Sequence, residues 1–409
     1  MNSLFIKNYT TPIFLVLLTP IFIFCLLLNT NTIIDNSIIY NAPINTTSLT
    51  ILGSFIIYGI GSIKLSNKYF LGQVNIDGIE PYYAANGFEF WLLTMGLLFG
   101  ITYFIPTISL IFAQNFIQFI FTSNIFGLYL VIYLIWRDYD IYFDKKEDDK
   151  LGYNILFKFY RGLVFHPKIG DIDIKQFTNC RFGMISWQII IFLFAHYYFY
   201  NIKYSYEVLV SIILQTIYIG KFFYWETGYF NTLDITLDRG GYYICWGCLV
   251  FLPAFYTYAV FNLINTYEFQ NNFVFNTFLL ILGVYSIYNN YIVDQQKEDF
   301  KRNKTLYKSL DVIYKDNNGV EINSKLLIDG YWGKVRHMNY MYEIITAICW
   351  CLPGYNFNKP SLSILYVLFL VVLLIHRIFR DEKKCSKKYG IFWDKYCSIA
   401  KYRLVNYIF

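Results

Sequence analysis

Repeated apolar runs, most of them long enough to cross a lipid bilayer, constrain this chain more than any other feature. A transmembrane helix needs about 20 mostly apolar residues, since its backbone must be hydrogen-bonded internally where no water is present. The sequence therefore predicts an all-α fold, a polytopic transmembrane helix bundle with about ten spans. The predicted spans are Thr11–Leu28, Leu49–Ile63, Phe88–Ile105, Ser109–Phe121, Ile125–Trp136, Met184–Tyr200, Tyr206–Tyr224, Tyr242–Leu263, Phe273–Val293, Met341–Leu352 and Leu362–Ile375. Met341–Leu352 is short enough to be re-entrant or tilted.

The composition supports this prediction. Hydrophobic residues make up 56% of the 409 residues and charged residues only 15%, against roughly 45–50% and about 25% in an ordinary soluble domain. Three polar intervals, Arg137–Arg181, Asp294–Arg336 and Arg377–Phe409, each hold nine Lys or Arg, which favours the cytoplasmic side for all three. No internal repeat or separate soluble domain stands out. We expect residues 1–409 to form one membrane-embedded domain.

The last polar interval carries the net charge of the protein. Arg377–Phe409 contains nine basic and three acidic residues, an excess equal to the net charge of +6. On a helix that continues the last apolar run, six charged side chains fall within an arc of about 120°: Arg377, Arg380, Asp381, Lys384, Lys387 and Lys388. Attraction to anionic lipid headgroups explains such a stripe. Asp381, Tyr389, Trp393 and Tyr396 favour an anionic ligand with a flat end, because a lipid-binding tail needs neither a carboxylate nor spaced rings.

Two further polar segments lie at predicted membrane borders. Lys297 and Lys301 are four residues apart and so share a helix face; their simplest role is to extend toward the membrane surface. Ser324–Glu343 combines Trp332, Arg336, His337 and Asn339 with two glycines, Gly330 and Gly333. Aromatic belts explain the tryptophan and tyrosines there, but they explain the asparagine and the glycine pair less readily.

Trp225–Cys248 carries four ionisable side chains between apolar runs, namely Glu226, Asp234, Asp238 and Arg239. Ionisable residues at membrane depth are costly and mark a functional cavity by default. A loop that reaches the surface here is the alternative.

Several classes of site are absent from the sequence. The four histidines show no zinc-ligand spacing, so we expect no metal. The pair Cys245 and Cys248 has redox-motif spacing but lies in an apolar run, which favours buried helix packing. The chain contains neither a Walker A motif nor a G-x-G-x-x-G loop, and no basic tract of the nucleic-acid type. Side-chain cations would have to hold any nucleotide bound here.

The C-terminal stretch "HRIFRDEKKCSKKYGIFWDKYCSIAKYRLVNYIF" resembles the signature of the sterol reductase family. The segments "WETGYFNTLDITLDRGGYYICWGCLVFLP" and "SKLLIDGYWGKVRHMNY" look most like the 7-dehydrocholesterol reductase branch, and "FHPKIGDIDIKQFTNCRFGMISW" matches the family's middle loop. The resemblance covers residues 152–409. The chain departs from the family pattern at His166-Pro167-Lys168 and at Ala400-Lys401-Tyr402-Arg403, and neither change removes a charged or aromatic group from the proposed cofactor site.

The resemblance implies a multi-pass enzyme of the endoplasmic reticulum that reduces a sterol ring double bond with NADPH, with its cofactor face toward the cytoplasm and its sterol taken from the bilayer lipids. The implied cofactor-binding residues are Lys297, Lys301, Leu327, Trp332, Asn339, Tyr340, Asp381, Cys385, Ser386, Lys387, Lys388, Tyr389 and Tyr396. Reducing an isolated alkene also requires a proton donor. Asp381 ranks first for that role, with Glu226 and Tyr256 as alternatives.

The resemblance favours the delta7 bond of 7-dehydrocholesterol-type sterols. The delta14 bond and a non-catalytic sterol-binding membrane scaffold stay open as alternatives. The oligomeric state also stays open.

Overall fold

A computed structural model describes residues 10–28, 42–74, 78–143, 155–265, 272–315, 319–355 and 362–409. Its helices are α1 (Thr11–Leu28), α2 (Thr46–Lys64), α3 (Gly87–Phe104), α4 (Thr107–Gln114), α5 (Phe116–Phe143), α6 (Ile155–Arg161), α7 (Ile174–Asn201), α8 (Tyr206–Tyr224), α9 (Glu226–Tyr229), α10 (Leu233–Thr236), α11 (Tyr242–Asn265), α12 (Phe273–Arg302), α13 (Met338–Cys351), α14 (Leu365–Tyr389) and α15 (Ile391–Ile399). Among the described residues, nine helices are long and apolar enough to cross a membrane: α1, α2, α3, α5, α7, α8, α11, α12 and α14. The prediction of an all-α polytopic bundle is confirmed.

Two predicted spans differ from the structure. Ser109–Phe121 is not a span, because the helix is interrupted at Asn115. The Asn115 side chain donates to the Ile111 carbonyl at 2.8 Å. The eight-residue α4 ends before this break and the 28-residue α5 starts after it. Ile125–Trp136 is therefore the middle of a longer helix. The predicted span Met341–Leu352 lies on α13, which has 14 residues and is too short to cross a bilayer upright.

Three antiparallel two-stranded hairpins accompany the helices. The strands are β1 (Tyr69–Leu71) with β2 (Tyr82–Ala84), β3 (Lys168–Ile169) with β4 (Ile172–Asp173), and β5 (Ser309–Lys315) with β6 (Glu321–Leu327). In the longest hairpin Ser309 lies opposite Leu327 and Lys315 lies opposite Glu321. This hairpin lies within the polar interval Asp294–Arg336, in which no strands were predicted.

The described chain divides into two compact units. The first unit comprises residues 1–212 with 219–268, and the second comprises 213–218 with 269–409. The expectation of a single domain stays a prediction.

In the first unit, α7 and α11 form the core. In the apolar stretch of each of these helices 83% of the residues are buried, against 22% in the apolar stretches of α1 and α2. Both core helices contain π-helical turns, over Phe177–Met184 and Tyr242–Tyr256, a geometry that is often found at functional sites. α7 begins ten residues before the predicted start at Met184, so Arg181 lies inside the helix and not in the polar interval to which it was assigned.

In the second unit, α13 packs against α12 and α14, and β5 packs against α14 and α15. The C-terminal tail binds the segment that precedes α13: the Arg336 amide donates to the Tyr402 carbonyl and the His337 amide donates to the Arg403 carbonyl, both at 2.9 Å. These contacts gather the end of α12, the 328–337 segment, the end of α14 and the tail at one place.

Candidate functional site

All predicted cofactor-binding residues lie in the second unit. The predicted catalytic residue Asp381 lies there too, whereas Glu226 and Tyr256 lie in the first unit. The second unit brings part of the predicted set together around Trp332 and part around β5.

Trp332 is the centre of the first group. Its indole Nε1 donates to the Val293 carbonyl at 2.9 Å, and its backbone carbonyl accepts from the Tyr396 hydroxyl at 3.0 Å. The Lys297 Nζ lies 4.2 Å from the centre of the Trp332 ring. Both the position and the orientation of the indole are thereby fixed, and a cation lies against its face.

Burial raises the pKa of the Tyr396 hydroxyl well above its ordinary value, because the buried phenolate would lose its hydration. The hydroxyl therefore stays protonated and keeps its bond to the Trp332 carbonyl. The Tyr396 ring also stacks with the Trp393 ring, with 5.0 Å between their centroids. These two rings form a buried cluster with Ala400, against which Cys385 and Tyr389 pack.

Asp381 lies beside His337, the residue that precedes α13. The distance from Asp381 Oδ2 to His337 Nε2 is 3.4 Å, and Lys297 and Lys384 interact electrostatically with the same carboxylate. The side chain of His337 is 5% exposed and that of Asp381 is 29% exposed. A buried imidazole and a cation from another helix therefore meet at one accessible carboxylate.

Asn339 and Tyr340 lie on the first turn of α13. The Asn339 Nδ2 donates to Asp294 Oδ1 at 3.0 Å, and the Tyr340 ring stacks on His337 at 5.3 Å between centroids. The Asn339 Oδ1 and the His337 Nδ1 are buried and have no partner among the described residues. Two buried polar atoms at the start of α13, one of them on the imidazole that contacts Asp381, thus have unused hydrogen-bonding capacity, which is a costly state without a ligand or water.

Glu382 fixes the helix that carries Asp381. Its Oε1 accepts from Arg336 Nη2 at 2.9 Å, and Arg403 Nε lies 3.0 Å from both Glu382 oxygens. Arg336 also donates through Nη1 to the Ala400 carbonyl at 2.6 Å. One carboxylate thereby joins α14 to the 328–337 segment and to the tail, and this linkage sets where Asp381 points.

The second group lies against the β5–β6 hairpin. The Lys388 Nζ is 4.4 Å from the ring centre of Tyr314 on β5 and 5.1 Å from that of Tyr389. The two rings meet edge to face at 5.4 Å. A cation between two tyrosine rings is suited to an anionic group attached to a flat ring.

The remaining predicted cofactor residues have other surroundings. Ser386 and Lys387 are exposed on α14. Lys301 is exposed and pairs with Glu298 at 3.6 Å on its own helix. Leu327 is buried in an apolar cluster with Val293 and Trp332, so its role there is packing. Their part in cofactor binding stays a prediction.

Glu226 and Tyr256 have structural partners in the first unit. Both Glu226 oxygens accept from the Arg181 guanidinium, Oε2 at 3.0 Å from Nη2. The Tyr256 ring packs edge to face on Trp187 at 5.2 Å. The catalytic roles assigned to these two residues stay predictions.

Several residues of the site were not among the predicted ones: His337, Glu382, Arg336, Arg403 and Tyr314. His337 and Arg336 stand two and three residues before Asn339, so their proximity to a predicted residue was the available signal. Glu382 follows Asp381 directly, but about 100° separates the two side chains on a helix. Nothing in the sequence indicated that Tyr314 would lie against Lys388, because that contact depends on where the hairpin folds.

The described residues fit a dinucleotide by their chemistry. Lys297 and Lys388 offer positive charge for phosphate groups, and Trp332, Tyr314 and Tyr389 offer rings. Asn339 and His337 contribute the buried polar atoms with unused capacity. Among the described residues no cluster of His, Cys, Asp and Glu is suited to hold a metal ion.

The nine candidate spans among the described residues and this group of cations, rings and carboxylates define the class: a polytopic membrane protein whose candidate polar site lies at the ends of two long helices. A family model described as "Ergosterol biosynthesis ERG4/ERG24 family" matches residues 5–409. The chain therefore belongs to this family, the sterol reductases, which are oxidoreductases of sterol biosynthesis.

Individual relatives include both branches of that family. The chain is 35% identical over 356 residues to the 7-dehydrocholesterol reductase of Arabidopsis thaliana, an alignment that covers 85% of this chain and 81% of the relative. It is 32% identical over 351 residues to the 7-dehydrocholesterol reductase of Danio rerio, covering 81% and 71%. It is also 32% identical over 359 residues to the Delta(14)-sterol reductase erg24 of Schizosaccharomyces pombe, covering 85% and 81%.

Proposed function

We propose that this protein reduces a ring double bond of a sterol with NADPH, and that its preferred bond is the delta7 bond of 7-dehydrocholesterol-type sterols. One observation carries the proposal: a cation, an aromatic ring, an imidazole and a carboxylate lie close together in a member of the sterol reductase family. These groups belong to Lys297, Trp332, His337 and Asp381. Delta14 reduction is the second candidate, because a relative of that name matches the chain over a similar length.

In this proposal the cations hold the cofactor and the rings orient it. Lys388, between Tyr314 and Tyr389, and Lys297, over Trp332, are charge partners for phosphate groups. The 2′-phosphate of NADPH adds negative charge that NADH lacks, so two separate cationic positions favour NADPH. When bound, NADPH supplies the hydride for the reduction.

The protein must supply the proton. A ring double bond that is not conjugated to a carbonyl accepts a hydride only once a proton has been added to one of its carbons, so a positioned acid is required. The buried His337 imidazole and Asp381 are 3.4 Å apart, so a proton could pass between the imidazole and the partly exposed carboxylate. Asp381 either delivers this proton or orients the water or hydroxyl that does.

The sterol is expected to come from the bilayer, because its apolar ring system is soluble there and the chain has nine candidate spans among its described residues. We infer residence in the endoplasmic reticulum membrane, with the polar ends of α12 and α14 on the cytoplasmic side, from the cationic intervals and the positive-inside tendency. NADPH would then reach the site from the cytoplasm.

Replacing Asp381 tests the proposal. Asp381→Asn keeps the shape but can neither carry the negative charge nor transfer a proton, so we expect kcat for sterol reduction to fall about tenfold to a thousandfold, roughly 1.4 to 4 kcal/mol of transition-state stabilisation. The matched control is Asp394→Asn, an exposed Asp on α15, which should retain the parent rate. The assay is sterol profiling by mass spectrometry in microsomes with equal protein levels, fed a delta7 or a delta14 sterol.

Four outcomes decide between the candidates. Loss of delta7 reduction in Asp381→Asn supports the proposal, and parent turnover restricted to the delta14 sterol supports the second candidate. If Asp381→Asn reduces sterol at the parent rate, the assignment of Asp381 is wrong. If the parent protein reduces neither sterol, a sterol-binding scaffold replaces the enzyme.

A further inference from the structure

The first unit contains an apolar groove that no residue of the proposed reaction lines. It lies among α2, α3, α4 and α7 and has a volume of about 630 Å³, within the range of roughly 300–1,000 Å³ typical of small-molecule pockets. Its lining residues are Thr46, Thr47, Thr50, Ile51, Ser54, Phe55, Tyr58, Thr94, Leu97, Leu98, Ile101, Thr102, Ile108, Ile111, Phe112, Ile189 and Leu193. α2, α3 and α7 are candidate membrane spans, so a ligand would enter the groove from the bilayer.

The chemistry of the lining is uniform in one respect: its only polar side-chain groups are hydroxyls. Seven of the lining residues are Ser, Thr or Tyr, and none carries a charge or an amide. A phospholipid headgroup would find no charged partner here, and leaving its charge without one is unfavourable. A neutral lipid with a hydroxyl group meets no such penalty.

The hydroxyls of α2 are prepared to accept a hydrogen bond. Ser54 Oγ donates to the Thr50 carbonyl at 2.8 Å, and Thr50 Oγ donates to the Thr46 carbonyl at 2.9 Å. Because each hydroxyl already donates its one hydrogen to a backbone carbonyl, only its lone pairs are left to interact with a ligand. Thr50 and Ser54 are exposed, line the groove and are four residues apart, so they share one face of α2.

Deeper in the groove, the Tyr58 hydroxyl and Thr94 Oγ are 2.8 Å apart and hydrogen-bonded to each other. From Thr46 to Tyr58 the groove follows α2 for about 18 Å, at about 1.5 Å per residue. The walls hold many β-branched side chains, which are stiff. An elongated rigid molecule fits such walls with less loss of conformational entropy than a flexible acyl chain.

From these observations we propose that the groove is a binding site for a sterol, whose ring system lies against α3 and α4 and whose hydroxyl donates to Thr50 or Ser54. The groove shares no lining residue with the group around Trp332 and Asp381, and its occupation requires neither NADPH nor turnover. It goes beyond the proposed reaction, and the failure of either proposal leaves the other unaffected.

Photolabelling of the full-length purified protein tests the site. A sterol with a ring-borne diazirine is irradiated with the protein in detergent, without nucleotide, and the labelled peptides are identified by mass spectrometry. We expect label on α2, α3 or α4. Ser54→Trp, which fills the groove from its open side, should lower that label at least about fivefold, whereas Ile57→Trp on the same helix should not, because Ile57 is 73% exposed and does not line the groove.

A second variant and a competition experiment identify the recognised group. Leu98→Trp fills the groove from α3, and Leu93→Trp, exposed on the same helix and outside the groove, is its control. A sterol methyl ether lacks the donated proton and should compete roughly fivefold less well than the free sterol, the loss expected for about one hydrogen bond. The proposal is overturned if neither Ser54→Trp nor Leu98→Trp lowers the label, or if phosphatidylcholine competes as well as the sterol does.

Discussion

The buried ion pair between Arg181 and Glu226 allows a prediction that separates structure from catalysis. Arg181 is fully buried and Glu226 is 2% exposed. Besides the two Glu226 oxygens, the guanidinium has Asn86 Oδ1 at 3.0 Å and the Ala84 carbonyl at 3.3 Å as acceptors, and it lies 5.3 Å from the Phe90 ring centre. Removing the carboxylate leaves a permanent charge in this environment without its counter-ion.

The expected cost is large because only one partner is removed. Breaking a buried ion pair in this way typically costs about 3–5 kcal/mol. At about 2 °C or more per kcal/mol for a unit of this size, Glu226→Ala should lower Tm by at least about 6 °C. The matched control is Glu89→Ala, whose partner Lys68 is 60% exposed; such a pair contributes at most about 1 kcal/mol.

The double variant Arg181→Met with Glu226→Met distinguishes a structural role of Glu226 from a catalytic one. Replacing both members of a buried pair by apolar residues of similar volume is often neutral or stabilising, so Tm should return to near the parent value. If Glu226 is structural, sterol turnover returns with it. The measurements are thermal unfolding by tryptophan fluorescence in detergent, and sterol turnover in microsomes.

Two results would refute this reasoning. A Glu226→Ala protein that melts at the parent Tm would mean that the ion pair does not stabilise the first unit. A double variant that is stable and unable to reduce sterol would make Glu226 part of the catalytic machinery, as one of the two alternatives to Asp381 for the proton donor.

Two further predictions concern the second unit. Tyr396→Phe removes the hydrogen bond to the Trp332 carbonyl and should cost about 1 kcal/mol of stability, visible as a lower Tm. It should also raise the KM for NADPH, because Trp332 is then held less firmly. An unchanged KM would show that Trp332 takes no part in cofactor binding. Glu382→Gln weakens the ion pairs with Arg336 and Arg403. It should lower kcat for sterol reduction about tenfold, because Asp381 loses its fixed orientation. A parent kcat at saturating NADPH would show that the orientation of Asp381 does not depend on these ion pairs.

The membrane spans were predictable from the sequence because burial in lipid requires long apolar runs. Ten residues of α7 were missed because Arg181, in isolation, is unfavourable in a span. The structure compensates it with Glu226, a partner 45 residues away that no local pattern indicates. The false span Ser109–Phe121 has a related origin, since hydropathy alone does not register the break at Asn115.

The candidate site was predictable where its residues follow helical periodicity. The stripe on α14 is the clear case, because one continuous helix carries Asp381, Lys384 and Lys388, as the charge pattern predicted. Contacts between segments were not predictable, since they depend on how the chain folds back. The ion pairs of Glu382 and the approach of Tyr314 to Lys388 arise from the tail and the β5–β6 hairpin.

Transfer of an isotope from cofactor to sterol tests the central proposal most directly. Microsomes containing the protein are given a delta7 sterol with NADPH that carries deuterium at the transferable position of the nicotinamide, and the sterol product is analysed by mass spectrometry. The account predicts a reduced sterol that carries one deuterium, in an amount that falls about tenfold or more in Asp381→Asn. A reduced sterol without deuterium, or no reduced sterol from active microsomes at parent protein levels, would contradict it.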